Sequence, residues 1–243
     1  MPDVIAVVDD GHGTVVLAVA SSVAHLVRGR LRRLVLPESA GRADAVLSAL
    51  DEPESALAVL AMDRDPAAMG WHVMKRSAKP LVLVPGGVPD GVRPIGRVLV
   101  PLDGSREAAH AVDCTVELCT RAGVDLVVLH VFNDTTAPPF WDQSVHALHA
   151  WTEEFLSRHV MPPDARLEVR AGQPDHNVLD VATTLGADLI ALGWSQHLEK
   201  GRARTVRRAV VDADVPVMLV PVPAPSEHQG PSVLAPAVEH RLS

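Results

Sequence analysis

GADLIALGWSQHLEKGRARTVRRAVVDADVPVMLVPV, residues Gly186–Val222, decides the fold. Ala187–Leu192 is a mostly apolar run of strand length that ends at Gly193. From about Ala203 to Ala213 the apolar residues Val206, Ala209, Val210 and Ala213 recur at i, i+3, i+4, i+7. Arg204, Arg207 and Arg208 fall mainly off that stripe, so the segment reads as a helix. Val217–Val220 is a second buried-type strand, entered through Pro216 and closed by Pro221. Strand, glycine loop, helix and strand predict a βαβ unit with a right-handed crossover and parallel strands. Ligands of open α/β sheets sit beyond the carboxyl ends of the strands, so function is sought first in the loop Gly193–Arg202.

Upstream, the same grammar appears twice. VIAVVDDGHG from Val4 matches RVLVPLDGS from Arg97, and LRRLVLPES from Leu31 matches VDLVVLHVFND from Val124. SALAVLAMDRD from Ser55 matches GADLIALGWSQ from Gly186, and MKRSAKPLVLVPGG from Met74 matches RAVVDADVPVMLVPVP from Arg208. Internal repetition of this kind sets the organisation of the chain. Between its second and third strands the first copy has one helix, at Gly41–Leu50. The second has helix Trp141–His159, strand Leu167–Ala171 and helix Pro174–Leu185 in that place. The first copy therefore lacks one strand and one helix. Residues 1–85 read as the truncated unit, 86–96 as a Gly/Pro linker, 97–222 as the complete unit and 223–243 as a disordered tail. Pro66 is expected to open the helix Pro66–Arg76 at its first position.

The totals narrow the class. A hydrophobic content of 47% fills a core without any apolar run near membrane-spanning length. The first residues have acids and no basic leader pattern, so no signal peptide is expected. Cys114 and Cys119 read as reduced core thiols, which places the protein in the cytoplasm. A net charge of −8 argues against nucleic acid as a partner.

The second copy opens with VPLDGS, passes through VVLHV, AGQP and GADLIALG, and closes on DVPVMLVPV. In that order these strings resemble a universal stress protein domain over about Gly96–Val222; Met1–Pro85 resembles it only as a degenerate copy. The resemblance implies an adenine nucleotide alpha hydrolase-like α/β fold, a doubly wound parallel sheet of strand order 3-2-1-4-5. Many members of that family bind ATP through a loop reading G-x-x-G, nine residues, then G-S or G-T. Gly193 fits the first glycine, whereas Gln196 stands at the second and Ala203-Arg204 where Gly-Ser is wanted. The spacing is also about three residues short. In the first copy the matching loop, Met62–Ala68, has no glycine and carries two aspartates, which repel a triphosphate. The expectation is a lapsed nucleotide site with no tightly held cofactor. The alternative is an ATP- or AMP-binding switch with slow ATP hydrolysis, its phosphates held differently, through Arg202, Arg204 and the helix N-terminus.

By the same resemblance Asp103 and the backbone of Leu102 face a nucleoside, and Val131 meets the adenine. Read from the residues alone, Asp103 shapes the turn and Ser105 caps the helix. The binding set is thus Leu102, Asp103, Ser105, Val131, Gly193 and Arg202. No catalytic residue is assigned; a small-molecule enzyme using His176 or His197 beside Asp103 is a further alternative. Of 12 histidines, His146 and His149 share a helical face, yet no third ligand has metal-site spacing, and no metal is expected. Trp194 either plugs the vacated phosphate site or anchors a partner. Trp151 and Phe155 share a core face, while Phe140 and Trp141 roof the pocket. The favoured function is a non-catalytic stress-response or regulatory protein that binds a small ligand or a protein partner.

In the resembling family the fifth strands of two subunits pair. Here both equivalents lie in one chain, Leu81–Val84 and Val217–Val220, each bounded by proline. Left alone, each would expose a sheet edge. The halves are therefore expected to pack as an intramolecular pseudo-dimer, with a homodimer open through other surfaces.

Overall fold

The computed structural model describes residues 1–8, 13–36, 41–91, 93–103, 106–132, 145–159, 161–162, 164–195 and 202–222; of these, the side chains of 106–108, 111, 145–149 and 202 are not described. The first half runs β1 (Asp3–Val8), α1 (Gly13–Leu26), β2 (Arg30–Val35), α2 (Arg42–Asp51), β3 (Ser55–Met62), α3 (Met69–Arg76) and β4 (Leu81–Pro85). Next come β5 (Arg97–Leu102), α4 (Arg106–Ala122), β6 (Asp125–Phe132), α5 (Val145–Arg158) and β7 (Arg166–Ala171). The chain closes with α6 (Pro174–Leu185), β8 (Leu189–Trp194), α7 (Arg202–Asp212) and β9 (Val217–Pro221).

These strands form one sheet in the order β2-β1-β3-β4-β9-β8-β5-β6-β7. Renumbered within the second half, β7-β6-β5-β8-β9 is the order 3-2-1-4-5. The first half is the same sheet without its third strand. Every pairing is parallel except one, the antiparallel seam between β4 and β9. There Leu81 faces Leu219, Val82 faces Met218 and Leu83 faces Val217. Because LVLVP and VMLVP are equivalent strings, this register is its own mirror: a pseudo-two-fold axis passes between Val82 and Met218. The halves thus form the expected pseudo-dimer.

Alternation along the seam feeds two cores. Leu81, Leu83, Val217 and Leu219 enter the layer under α2, α3, α6 and α7. Val82, Val84, Met218 and Val220 enter the layer under α1 and α4. Each layer is continuous from one half to the other, so neither half closes a core alone. At about 25 cal/mol per Å² of apolar surface removed from water, such shared burial is the main force that joins them.

Pseudo-symmetry also corrects the repeat. Ala58 pairs with Leu81 as Ile190 pairs with Val217, which makes Met62 the counterpart of Trp194 and Ala61 that of Gly193. The first and third string matches are therefore out by one residue: Val4 answers Val98, not Arg97, and Ser55 answers Ala187, not Gly186. The slip arose because both copies have apolar residues on both faces, which hides the period of two. Two further expectations change. Helix α3 begins at Met69 with Ala68 as its cap, so Pro66 lies in the preceding turn and not at the first helical position. Cys119 is buried but Cys114 is exposed, although both are free thiols.

One ion pair recurs at the foot of each half with its charges exchanged. Asp3 of β1 meets Arg30 of β2 at 2.9 Å, whereas Arg97 of β5 meets Asp125 of β6 at 2.7 Å. The registers place them at equivalent positions, Asp3 opposite Arg30 and Arg97 opposite Asp125.

Candidate functional site

The carboxyl ends of β5, β6 and β8 bring together most of the residues singled out in the sequence. Leu102 ends β5 and is buried, and Asp103 follows it, exposed to solvent. Val131 lies near the end of β6, half-buried against the α6–α7 core. Gly193 is not a loop residue as expected. It belongs to β8 and pairs with Val220, and the strand runs on through Trp194. Arg202 opens α7, with its side chain outside the described set. Ser105, His197, Phe140 and Trp141 lie outside the described residues, as does the stretch from Gln196 to Gly201.

Leu102 sits opposite His130 in the β5–β6 register. The Leu102 carbonyl accepts a hydrogen bond from His130 Nδ1 at 2.9 Å, which fixes the proton on that nitrogen. The imidazole is buried in an aromatic nest: its centroid lies 4.8 Å from Phe132, 4.8 Å from Phe155 and 5.5 Å from Trp151. Burial holds its pKa below the usual histidine value; the Leu102 bond and the charge of Asp103 act in the opposite direction. Sequence reading placed Trp151 and Phe155 on one core face, and they do stack, at 5.0 Å. It missed His130, because a histidine inside the apolar run VVLHV carries no spacing signal.

On the opposite face, Asp175 is the second residue of α6, where a helix N-terminus favours a carboxylate. Arg204 of α7 forks onto it, Nε to Oδ2 at 3.1 Å and Nη2 to Oδ1 at 3.3 Å. Arg204 also donates to Gln173 Oε1 at 2.6 Å. Arg208 approaches Asp175 at 3.8 Å and meets His176 Nε2 at 2.8 Å. A guanidinium can only donate, so Nε2 is the acceptor here. Two of the arginines beside the candidate phosphate loop thus hold α6 against α7, and His176 is bonded to Arg208. As expected, Pro174 and Asp175-His176 begin a helix.

Trp194 is the counterpart of Met62 and is buried. Its indole N–H donates 3.0 Å to the carbonyl of Met74 in α3, across the seam. The contact ties the second half to the first, a role within the chain that neither expectation for Trp194 gave. Its neighbours reinforce the contact. The Arg207 guanidinium lies 5.9 Å over the Trp71 ring, and Arg64 pairs with Asp212 at 3.1 Å. In the first half the equivalent strand end is closed by packing. A Cβ on Gly70 of α3 would stand 2.9 Å from Met62 Sδ and 3.2 Å from the Ala61 carbonyl. Only a glycine lets the helix sit that low.

Among the described residues no three His, Cys, Asp or Glu side chains are grouped to hold a metal; the side chains of His146 and His149 are not among them. No described helix is long and apolar enough to cross a membrane. A groove of about 750 Å³ lies between α4 and α5, floored by Val116 and Met161 and rimmed by the His110–Asp113 pair and Arg158. Its lining mixes both charges.

Three comparisons set these features among known proteins. A family model described as the universal stress protein family matches residues 94–221. Comparison with curated proteins gave no match. Among solved structures, a functionally unknown protein from Pseudomonas aeruginosa is 15% identical with a TM-score of 0.61, covering 91% of this chain and 93% of its own. A universal stress protein from Archaeoglobus fulgidus is 14% identical with a TM-score of 0.57, covering 91% of this chain and 86% of its own. At such identities the likeness is one of fold, over both halves.

Proposed function

Because the chain belongs to the universal stress protein family, we propose that it is a non-catalytic stress-response protein that works by binding, with a nucleotide site too altered to grip ATP. The observation that carries this reading is the Arg204–Asp175 fork. At the head of α7, where a phosphate would need free donors, Arg204 is engaged by a buried carboxylate and by Gln173. Freeing it would leave the buried Asp175 carboxylate to Arg208, which stands farther off at 3.8 Å, and to the α6 N-terminus. The sequence adds Gln196 in place of the second loop glycine. Titration calorimetry with MgATP is expected to give a dissociation constant weaker than about 100 μM, some 5.5 kcal/mol of binding. A low-micromolar constant, or ATP released from the purified protein, overturns the reading.

A second reading has its own support. Leu102, Asp103 and Val131 lie at adjoining strand ends, where a nucleoside without a triphosphate would need them. Adenosine and AMP belong in the same titration; tighter binding of either than of MgATP selects this alternative. We place the protein's work in the cytoplasm, where its two free thiols stay reduced. Any homodimer would use surfaces other than β4 and β9, which are already paired.

A further inference from the structure

The truncated half has lost its cover at β2. Equating the β1–β2 register with that of β5–β6 sets Leu31, Arg33 and Val35 where Leu126, Val128 and His130 stand. In the second half those three are buried, at 5%, 0% and 7% exposure, in the layer that includes Trp151 and Phe155 of α5, with β7 paired alongside. In the first half Leu31 is 42% exposed and Val35 is 81% exposed, with Arg33 exposed between them. Leu34 and Leu36 pack on the α2–α3 side, so alternation puts Leu31, Arg33 and Val35 together on the other face. Among the described residues β2 also has a strand on one side only. An apolar ledge and an open backbone edge thus coincide.

Charged residues often do no more than guard such an edge. Here two of the three arginines of β2 are turned to their own half. Arg30 pairs with Asp3 at 2.9 Å, and Arg32 binds Glu52 at 2.7 Å and Ser55 at 3.1 Å. Arg33 is left on the ledge, framed by two exposed apolar side chains, which a guard does not require. A second copy of the chain is a poor occupant, since two-fold pairing of β2 on itself would set these arginines against one another.

We propose that β2 and its ledge take up an extended segment of a partner protein, added as a further parallel strand where β7 lies in the second half. Facing Leu31, Arg33 and Val35, the segment needs an apolar, an acidic and an apolar residue at alternate positions. Backbone hydrogen bonds supply affinity and the alternate side chains supply choice. This extends the reading of a binding protein, but it rests on residues remote from the nucleotide site, so either can fail alone.

The test uses the full chain and a fluorescein-labelled, capped nonapeptide containing Ile-Thr-Glu-Val-Ile, read by fluorescence anisotropy. Saturable binding is expected, with hydrogen exchange slowed at Leu31–Val35. Arg33→Glu should weaken binding by about tenfold or more. The peptide with Lys for Glu should regain it on that variant. An unchanged melting curve shows that the variant is folded, as befits an exposed side chain. The proposal is overturned by absence of binding up to about 1 mM. It is equally overturned by indifference to the charge exchange, by protection at β5 and β8 instead of β2, or by a dimer in which β2 is already covered.

Discussion

The two halves of this chain are alike at the seam and unlike at the rim. Along β3-β4 and β8-β9 they match strand for strand, and the register across Val82 and Met218 is symmetric. At the outer side of β2 a whole helix and strand are missing that β6 still has. The strand ends diverge as well: Gly70 closes one, and the larger Val206, as far before Val217 as Gly70 is before Leu81, stands at its counterpart in the other. What has been retained in the first half is what the second half needs to finish its sheet. What has gone is what only the first half used.

The sharpest way to break that comparison is at the seam. Leu83→Pro or Met218→Pro removes a ladder donor from a strand buried on both faces and should cost more than about 3 kcal/mol. Both halves should be lost in one transition, seen equally in tryptophan fluorescence and in circular dichroism during urea unfolding. Two separate transitions would show that the halves stand alone. Next comes Trp194→Ala, which empties a buried site and deprives the Met74 carbonyl of its donor. The expected loss is about 3–5 kcal/mol. Trp194→Phe keeps much of the volume and should lose about 1–3 kcal/mol, the share of the unsatisfied carbonyl. Smaller still is Gly70→Val, which copies the residue of the other half into the first. Overpacking against the Ala61 carbonyl should destabilise by about 1–3 kcal/mol. A neutral result would mean that the two strand ends differ less than their packing suggests.

The least effect concerns acid. His130 is held neutral in the fold, with a folded pKa below its ordinary 6.5. As pH falls below about 6.5 the unfolded chain takes up a proton that the folded chain resists. His130 therefore lends its full support above that value and withdraws it between 6.5 and its lower folded pKa. His130→Phe should flatten this part of the melting-temperature profile from about pH 7 to 5. Asp125 works in the same direction at lower pH: the Arg97 bond depresses its pKa, so its support fades as that carboxylate is protonated. Both groups have counterparts in the first half, Val35 and Arg30, that cannot titrate in this way.

Strand order and the seam came through the family resemblance, whereas the missing strand and helix were legible because they rest on long apolar runs and on punctuation by Pro and Gly. The one-residue slip between Ser55 and Gly186 was not, since a strand apolar on both faces has no period to fix its register. Leu102, Val131 and Gly193 were placed by resemblance; Leu102 and Val131 lie at the ends of the neighbouring strands β5 and β6, and Gly193 lies within β8 and not in a loop. The Arg204–Asp175 fork was out of reach, because it joins residues 29 apart in sequence through the packing of α6 on α7. Trp194 illustrates the same limit. Its sequence context suggested a plug for the phosphate site or an anchor for a partner, but its hydrogen-bond partner lies 120 residues away in the other half.

A chain that carries the same strand twice runs the risk of assembling the wrong copy while it folds. The exchanged ion pairs at the feet of the halves act as a key against this. Were β1 to add to β6, Asp3 would face Asp125; were β5 to add to β2, Arg97 would face Arg30. Each correct pairing is an attraction and each crossed pairing a repulsion. Two ion pairs, reversed between repeats, thus match each inner strand to its own outer neighbour.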